Sequence, residues 1–206
     1  MKLRGARVSI RPMKRADVEA MAKWRPIVDP LYQPYDLPQQ SLSEHLRWFT
    51  WRSADPSRRM YAIEDEQKAV IGSLTLRELD GQHSARLGIT LGADYVSQGY
   101  GTEALKLFLD YYFDTMGFQQ MVLDVAGPNL RAIRCYLGLG FRQVGYHWRR
   151  ADHDSYYLLA REQRYQHLRS ALRQRSADLE VLFYDMALTR DEWRSLEKGS
   201  GKRDEA

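Results

Sequence analysis

The sequence predicts an α/β protein with a mixed, mostly antiparallel sheet and helices on both faces. Three strand-like runs, at 59–64, 69–79 and 85–91, follow one another across short polar turns, which is the pattern of an antiparallel meander. An amphipathic helix over about 100–116 then precedes a further strand at 120–126. A strand, a helix and a strand in this order imply a right-handed crossover between two parallel neighbours.

The segments on either side of this pattern predict further elements of the same fold. Ahead of it the chain predicts a strand, a helix, a loop and a second helix, at 6–12, 15–25, 26–40 and 41–52. Four prolines interrupt the loop, and Ser41 with Glu44 has capping-box spacing at the start of the second helix. Behind the crossover the chain predicts a short helix and two more strands, at 129–139, 141–149 and 181–189.

Residues 152–180 form an insertion between the last two predicted strands. Apolar residues at loose helical spacing predict a helix over about 155–177, and the insertion contains five arginines. It could be a lid over an acceptor site, a dimer arm, a basic face for RNA or the ribosome, or a solvated helix that covers the sheet edge. We expect a single domain over 1–194 and a disordered polar tail at 195–206.

The composition is that of a mildly basic globular domain. The chain has 206 residues, a formal net charge of +4 and a pI near 9.1. This balance favours anionic ligands such as phosphates, but by itself it does not indicate a nucleic-acid partner. One cysteine, Cys135, excludes an internal disulfide and fits a reducing cytoplasm. We expect neither a signal peptide nor a membrane span, since no apolar run approaches ~18 residues.

The stretch SQGYGT, residues 97–102, places two glycines at the start of the crossover helix. Glycine weakens a helix interior by roughly 1 kcal/mol relative to alanine, so bare backbone here indicates that another group approaches closely. Unpaired N–H groups and the helix dipole make a helix N-terminus favourable for an anion. The stretch therefore predicts a diphosphate cradle, and the alternative is an ordinary glycine-bearing helix start.

Two other phosphate loops fit this stretch less well. The P-loop requires a lysine after its second glycine, and no lysine follows either glycine here. Gly99 to Ala104 does match the dinucleotide pattern GxGxxA, and Asp124 follows about 20 residues later. However, the preceding strand ends near Leu91, several residues before the glycines, and Asp124 falls inside its strand rather than at its end.

A second motif follows the crossover. In NLRAIRCYLGLGF, residues 129–141, Asn129 is a good helix N-cap and Tyr136 shares a helix face with Ala132 and Ile133. Alone, this motif describes an ordinary small helix. Its position behind a glycine loop and a strand is what gives it a more specific meaning.

Together with GYGTEAL at 99–105 and YDMALTRDEW at 184–193, this motif resembles the GCN5-related N-acetyltransferase superfamily. The resemblance is greatest to the branch of ribosomal-protein-alanine and spermidine acetyltransferase-like enzymes, and it covers about 6–150 and 181–194. The family loop is written Arg/Gln-x-x-Gly-x-Gly/Ala. Val96 departs from its first position, which matters little for a loop that binds through backbone amides.

The resemblance implies an acyl-CoA N-acyltransferase fold in which the parallel strands splay apart. It also implies that an acetyl group passes from acetyl-CoA to a primary amine by direct attack, without an acyl-enzyme. Amides of the loop would hold the CoA pyrophosphate, while the edge of strand 85–91 and Asn129 would hold the pantetheine. The implied cofactor-binding residues are Leu91, Val96, Ser97, Gln98, Gly99, Tyr100, Gly101, Thr102 and Asn129.

Tyr136 matches the family's general acid, which protonates the departing thiolate; a buried core aromatic is the alternative. A thiol has a pKa of about 8.5 and a tyrosine hydroxyl about 10, so the hydroxyl carries its proton at neutral pH. For the general base, Asp124 inside an apolar strand is the first candidate, Glu78 is the second, and a water chain is a third. A structural ion pair is the alternative for both carboxylates.

Other reactive side chains are less promising. Cys135 lies next to Tyr136, but neighbours on a helix point about 100° apart, so we do not expect it to be a nucleophile. The histidines lack metal-ligand spacing, and we expect no metal. His147, predicted near the acceptor side, could assist catalysis, although core packing or exposure explains it as well.

The expected partners are acetyl-CoA and an amine acceptor, and a homodimer is one option; neither a membrane nor a nucleic acid is expected. The alternative function is a catalytically silent CoA-binding or RNA-associated module on the same fold. The sequence leaves the acceptor open among a ribosomal protein N-terminus, a polyamine, an antibiotic and an amino-acid-like amine. The loop 26–40 and the helix 41–52 are expected to shape its pocket.

Overall fold

The chain is organised around one long sheet. The computed structural model describes residues 1–200, and the side chains of residues 1–197. Nine strands lie within them: β1 (Leu3–Arg4), β2 (Ser9–Pro12), β3 (Arg59–Glu64), β4 (Val70–Asp80), β5 (Ser84–Leu91), β6 (Gln120–Ala126), β7 (Arg142–Arg150), β8 (Leu172–Arg175) and β9 (Asp178–Thr189). Their order across the sheet is β1-β2-β3-β4-β5-β6-β9-β7, and β8 also pairs with β9.

Six α-helices connect and cover these strands. They are α1 (Arg15–Met21), α2 (Leu42–Ser53), α3 (Tyr100–Asp110), α4 (Leu130–Gly138), α5 (Ser155–Arg161) and α6 (Arg190–Ser200). Ser41 and Glu44 form the predicted capping box at the start of α2. Within the described residues, none of the helices has the length and apolar character needed to cross a membrane.

The central strands confirm the predicted mixed sheet. β3, β4 and β5 form an antiparallel meander, whereas β5 and β6 are parallel. The parallel pairing is short, running only from Ser84 opposite Gln120 to Arg86 opposite Val122. The C-terminal halves of β5 and β6 are therefore unpaired with each other, which leaves backbone groups of both strands available at this point.

The predicted helix 100–116 changes its winding before it ends. After α3, residues Tyr111–Thr115 form a π-helical turn, and Gly117 follows with φ +80°. The ring of Tyr112 stacks on Phe118, and its hydroxyl donates a 2.7 Å hydrogen bond to the carbonyl of Gln120. The wider turn thus places a large buried side chain against the start of β6, which fixes α3 relative to the parallel strand pair.

The insertion departs from the predicted helix over 155–177. Only Ser155–Arg161 is α-helical; Gln163–Ala171 is a 3-10 helix, and β8 then forms a hairpin with β9. The reason is packing, because Leu168 and Leu172 are buried together with Val181 of β9 in a second apolar cluster. An uninterrupted helix could not have brought these residues against the sheet, and β8 occupies the edge of β9 beyond the end of β6.

The predicted disordered tail at 195–206 is also wrong in its first part, since α6 runs from Arg190 to Ser200. Trp193 is buried in the main core, and its Nε1 donates a 2.9 Å hydrogen bond to Asp110 Oδ1. The sequence of this helix is mostly polar, so the burial of Trp193 against the core was not evident from it. Residues 201–206 lie outside the described residues.

Candidate active site

A cavity of about 380 Å³ opens where β5 and β6 part. Its walls are the end of β5, the loop before α3, the first turn of α3, and one face of α4. Eight of the residues predicted to bind cofactor or to catalyse line it: Leu91, Val96, Ser97, Gly99, Gly101, Thr102, Asn129 and Tyr136. Three predicted site residues do not: Gln98, Tyr100 and Asp124.

Glycine is required at two positions of the loop, at one for its backbone conformation and at the other for lack of space. Gly99 is the N-cap of α3 with φ +86°, a left-handed conformation that side chains disfavour. A Cβ on Gly101 would lie 3.2 Å from Leu91 Cδ1, so this glycine lets α3 approach β5. No side chain caps the helix, so the first-turn amides are free to bind an anion at the cavity wall.

Glu103, in the first turn of α3, ties the loop to the N-terminal strands. Its carboxylate accepts hydrogen bonds from the amides of Arg7 and Val8 at 2.6 and 3.2 Å, and from Arg7 Nε at 3.0 Å. Burial opposes ionisation of Glu103, but these donors outweigh burial and lower its pKa. These bonds hold the start of α3 against the N-terminal segment. An acidic side chain at this position would not by itself indicate an anion site.

Arg7 explains why two of the predicted residues are not on the cavity wall. Its Nη1 donates to the carbonyl of Gln98 at 3.1 Å, and its guanidinium lies 4.8 Å above the ring of Tyr100. Gln98 and Tyr100 therefore hold the loop in shape from behind. The segment 6–8, predicted as part of the first strand, is instead the turn that carries Arg7 to this position.

Tyr136 lies on the buried face of α4, and only 8% of the residue is exposed. Asn129 caps α4 by accepting a 3.2 Å hydrogen bond from the amide of Ala132, which aims this face at the cavity. Burial raises the pKa of the Tyr136 hydroxyl, and the neighbouring Cys135 and Asp124 raise it further. The hydroxyl is therefore a stable proton donor at neutral pH.

Cys135 also lines the cavity, but its environment opposes a role as nucleophile. Its Sγ lies 3.2 Å from Thr102 Oγ1, which links α4 to α3. Burial raises the pKa of the thiol, although the hydrogen bond from Thr102 acts in the opposite direction. The thiolate, which is the reactive form, is thus disfavoured at this position.

Asp124 does not have the geometry predicted for a general base. Its carboxylate is ion-paired with three guanidinium groups, those of Arg77, Arg86 and Arg149, at 3.3, 3.0 and 2.9 Å. These donors contact both carboxylate oxygens, so the carboxylate is engaged in ion pairs rather than available to an attacking amine. Glu78, the second candidate, is exposed and bonds Arg86 at 2.7 Å.

The sequence prediction missed two arginines of the cavity, Arg131 and Arg134, which follow Asn129 on α4. Arg131 stacks over the ring of Tyr32 at 4.0 Å, and its Nη1 lies 3.5 Å from Ser97 Oγ. Arg134 is exposed beside it. Their spacing of three residues on a helix beside a predicted anion loop is the signal that could have identified them.

His147 has an oriented partner. Its Nδ1 lies 3.0 Å from Asp185 Oδ2, and its ring stacks on Phe183 with centroids 5.8 Å apart. The register of β6, β9 and β7 places Asp185 opposite Asp124, so this pair lies one strand away from β6. In the described part of the chain, no group of three or more His, Cys, Asp or Glu side chains could hold a metal ion.

Comparison with known proteins agrees with this geometry. The sequence profile of the acetyltransferase (GNAT) domain matches residues 7–142. The spermidine N(1)-acetyltransferase of Vibrio cholerae serotype O1 is 24% identical over 142 residues, which make up 68% of this chain and 82% of that enzyme.

Two solved structures show the same fold. The spermidine N-acetyltransferase from Vibrio cholerae, in complex with CoA and spermine, has a TM-score of 0.66 at 19% identity, covering 90% of this chain and 97% of that one. An acetyltransferase of the GNAT family from Bacillus anthracis has a TM-score of 0.66 at 16% identity, covering 93% and 100%. On the profile match and the shared fold, this chain belongs to the GCN5-related N-acetyltransferase (GNAT) family.

Proposed function

We propose that the cavity binds acetyl-CoA and that the protein transfers the acetyl group to a primary amine. The observation that carries the proposal is that an uncapped helix N-terminus, with Gly99 in a left-handed conformation, and a buried, protonated Tyr136 line the same cavity. The first can hold a pyrophosphate and the second can protonate a thiolate. Membership of the GNAT family and relatives named as N-acetyltransferases support the same reaction.

The residues divide the work in a simple way. Amides of the loop and the first turn of α3, with Arg131 and Arg134 beside them, neutralise the pyrophosphate. The end of β5 at Leu91, which does not pair with β6, lines the cavity and can hydrogen-bond the pantetheine, and Asn129 lines the same cavity. The amine nitrogen then bonds to the acetyl carbonyl carbon as the carbon–sulfur bond breaks.

Two protons must move for this exchange to balance. Tyr136 gives its hydroxyl proton to the departing sulfur, which becomes the free thiol of CoA. The proton lost by the amine leaves to solvent, directly or through water, because Asp124 is occupied by guanidinium groups. Once the amide has formed, this released proton balances the one that returns to Tyr136, so the protein is unchanged after a turnover.

The relative from Vibrio cholerae is named as a spermidine acetyltransferase, and a solved structure of such an enzyme contains CoA and spermine. These names support an amine acceptor for the present chain. The protein would act in the cytoplasm, where acetyl-CoA is present and Cys135 stays reduced. A homodimer, for which the hairpin of β8 and β9 provides an exposed edge, is also part of the proposal.

Two measurements test this function. Saturating CoA should raise the melting temperature, because a ligand that binds only the folded state stabilises it. A panel of primary amines mixed with acetyl-CoA should release free thiol at a rate proportional to enzyme. CoA stabilisation without thiol release from any amine would instead favour the catalytically silent CoA-binding module, and the absence of both would contradict the proposal.

A further inference from the structure

Five arginines gather on the face of the sheet that is opposite to α3. Strand alternation places Arg77 and Arg86 on this face, since Leu76 and Leu87, next to them, are buried in the main core with α3. Arg77 pairs with Arg86 across β4 and β5, and Arg149 reaches the same carboxylate, Asp124, from β7. The charges of Arg58 and Arg77 act on Arg52 of α2, so Arg52 and Arg58 extend the group. We call it the arginine cluster: Arg52, Arg58, Arg77, Arg86 and Arg149.

The cluster contains donors that the protein itself does not satisfy. Arg52 Nε and Arg58 Nη1 are buried, and neither has a hydrogen-bond partner within the described residues. The guanidinium of Arg52 lies over the rings of Trp48 and Trp51, at 5.6 and 5.5 Å. Buried guanidinium nitrogens without acceptors are unfavourable, so an anionic group that reaches them would be stabilised.

The carboxylates near the arginine cluster do not neutralise all of its positive charge. Asp55 bonds Arg58 at 2.9 Å, Glu78 bonds Arg86 at 2.7 Å, and Asp124 is shared among three arginines. Asp185, the next carboxylate along the face, is occupied by His147 at 3.0 Å. Five guanidinium groups thus stand against four carboxylates. Burial lowers the pKa of Arg52, and the charges of Arg58 and Arg77 lower it further.

The cluster lies at the point where an acceptor would reach the reaction centre. Asp124 is two residues beyond Val122, the last residue of β6 that pairs with β5, so it stands at the gap between these strands. Its charge is felt by Tyr136, which lines the cavity on the other side of that gap. An amine attacking from the arginine face and a cofactor on the α3 face would meet there.

We propose that the arginine cluster recognises an anionic group on the acceptor, so that the substrates are primary amines that carry a carboxylate or a phosphate a few bonds from the nitrogen. Guanidinium groups bind both anions through paired hydrogen bonds. The inference rests on the proposed function and narrows its acceptor. A polycation such as spermidine would meet an excess of like charge on this face, and its approach would be disfavoured.

Matched pairs of acceptors test this proposal. Ethanolamine is compared with O-phosphoethanolamine, and butylamine with 4-aminobutyrate, with spermidine as the polycation, each at a pH where the fraction of neutral amine is known. At least one anionic member should show kcat/KM at least tenfold above its neutral partner and above spermidine. The two series separate phosphate from carboxylate recognition.

Two variants show whether the cluster is responsible. Arg52→Gln should raise the KM of the preferred anionic amine at least fivefold and leave that of its neutral partner within twofold, whereas Arg15→Gln, a change at an exposed ion pair on α1, should alter neither. The preferred amine should also raise the melting temperature of the wild-type protein but not of Arg52→Gln, a readout independent of turnover. Equal or better use of spermidine, or no anion preference in either assay, would overturn the inference; acetylation of spermidine would still leave the N-acetyltransferase function intact.

Discussion

Tyr136 shows how much one residue owes to its surroundings. The side chain is an ordinary phenol, but burial and the nearby Asp124 raise its pKa and keep the proton on the oxygen. A phenol that remains protonated throughout the neutral range has a proton available for a departing thiolate, although its raised pKa makes it a weaker acid. Cys135, one position away, is buried by the same helix and is kept as a thiol. The same environment therefore keeps both groups protonated, which is compatible with the acid role proposed for Tyr136 and disfavours a thiolate at Cys135.

The role of Arg131 is specific enough to test at the residue scale. Arg131→Gln should raise the Kd for CoA by about 10- to 100-fold, since a charge-assisted hydrogen bond contributes about 1.5–3 kcal/mol. Its effect on kcat should be small, because Arg131 lies beside the anion loop rather than beside Tyr136. Titration calorimetry with CoA gives the first quantity and steady-state rates the second. An unchanged Kd would show that the pyrophosphate does not bind beside Ser97.

Among the elements, the N-terminus of α3 depends on a contact with the first strands. Glu103 is held by Arg7 and Val8, and its folded-state pKa is lowered below the unfolded value. A carboxylate with this shift stabilises the fold above its unfolded pKa of about 4.3, and this stabilisation is lost as the pH falls through the lower, folded-state pKa.

Glu103→Gln should therefore be less stable than the wild type at pH 7, by about 1–3 kcal/mol, because an amide accepts more weakly from the same donors. The difference between the two proteins should shrink as the pH falls below 4. Urea denaturation at a series of pH values measures it. Glu19→Gln, an exposed change on α1, is the control, and an equal pH dependence in both variants would contradict the assignment.

The elements show which signals in the sequence are sufficient. The meander, the crossover helix and strand 120–126 follow from apolar periodicity and turn residues, and the capping box marked the start of α2. The glycine loop could be predicted because the conformation of a helix start with two glycines depends on residues that are adjacent in the sequence. The insertion could not be predicted in the same way, since Leu168 and Leu172 leave a helical course only to meet Val181, which lies on a neighbouring strand.

The candidate site was predictable where it depends on the backbone and not where it depends on distant side chains. Gly99, Asn129 and Tyr136 line one cavity, and the position of each is fixed within its own motif. Asp124 looked like a free base because the arginines that bind it come from β4, β5 and β7, far away along the chain. No local pattern in the sequence predicts that arginines from three different strands will meet at one carboxylate.

At the scale of the whole molecule, α6 packs against the main core through Trp193. Part of this helix falls in the segment that the sequence predicts to be a disordered tail. Trp193→Phe keeps most of the apolar contact but removes the donor to Asp110 Oδ1, leaving that acceptor without its partner. We expect a loss of about 1–3 kcal/mol in the free energy of unfolding, and a fall in melting temperature of a few degrees. Thermal unfolding followed by circular dichroism measures this, with Trp51→Phe, an exposed tryptophan, as control. Equal melting temperatures for Trp193→Phe and wild type would mean that α6 does not dock as described.

At the same scale, the sheet separates two tasks. On one face, α3 and α4 line the cavity proposed for the cofactor; on the other lie α2 and the strand arginines, which we propose receive the acceptor. The gap between β5 and β6 connects the two faces of the sheet. It exists because the pairing of these two strands stops at Arg86 and Val122. Cofactor binding and acceptor choice can therefore vary independently on this framework.

The central claim is that this chain transfers an acetyl group with Tyr136 as the acid. The most direct measurement is the kcat of Tyr136→Phe with acetyl-CoA and the best amine of the panel, together with its Kd for CoA. We expect kcat to fall 10²- to 10⁴-fold while the Kd for CoA stays within about twofold, because only the donated proton is lost. A variant that binds CoA normally and retains wild-type kcat would contradict the account.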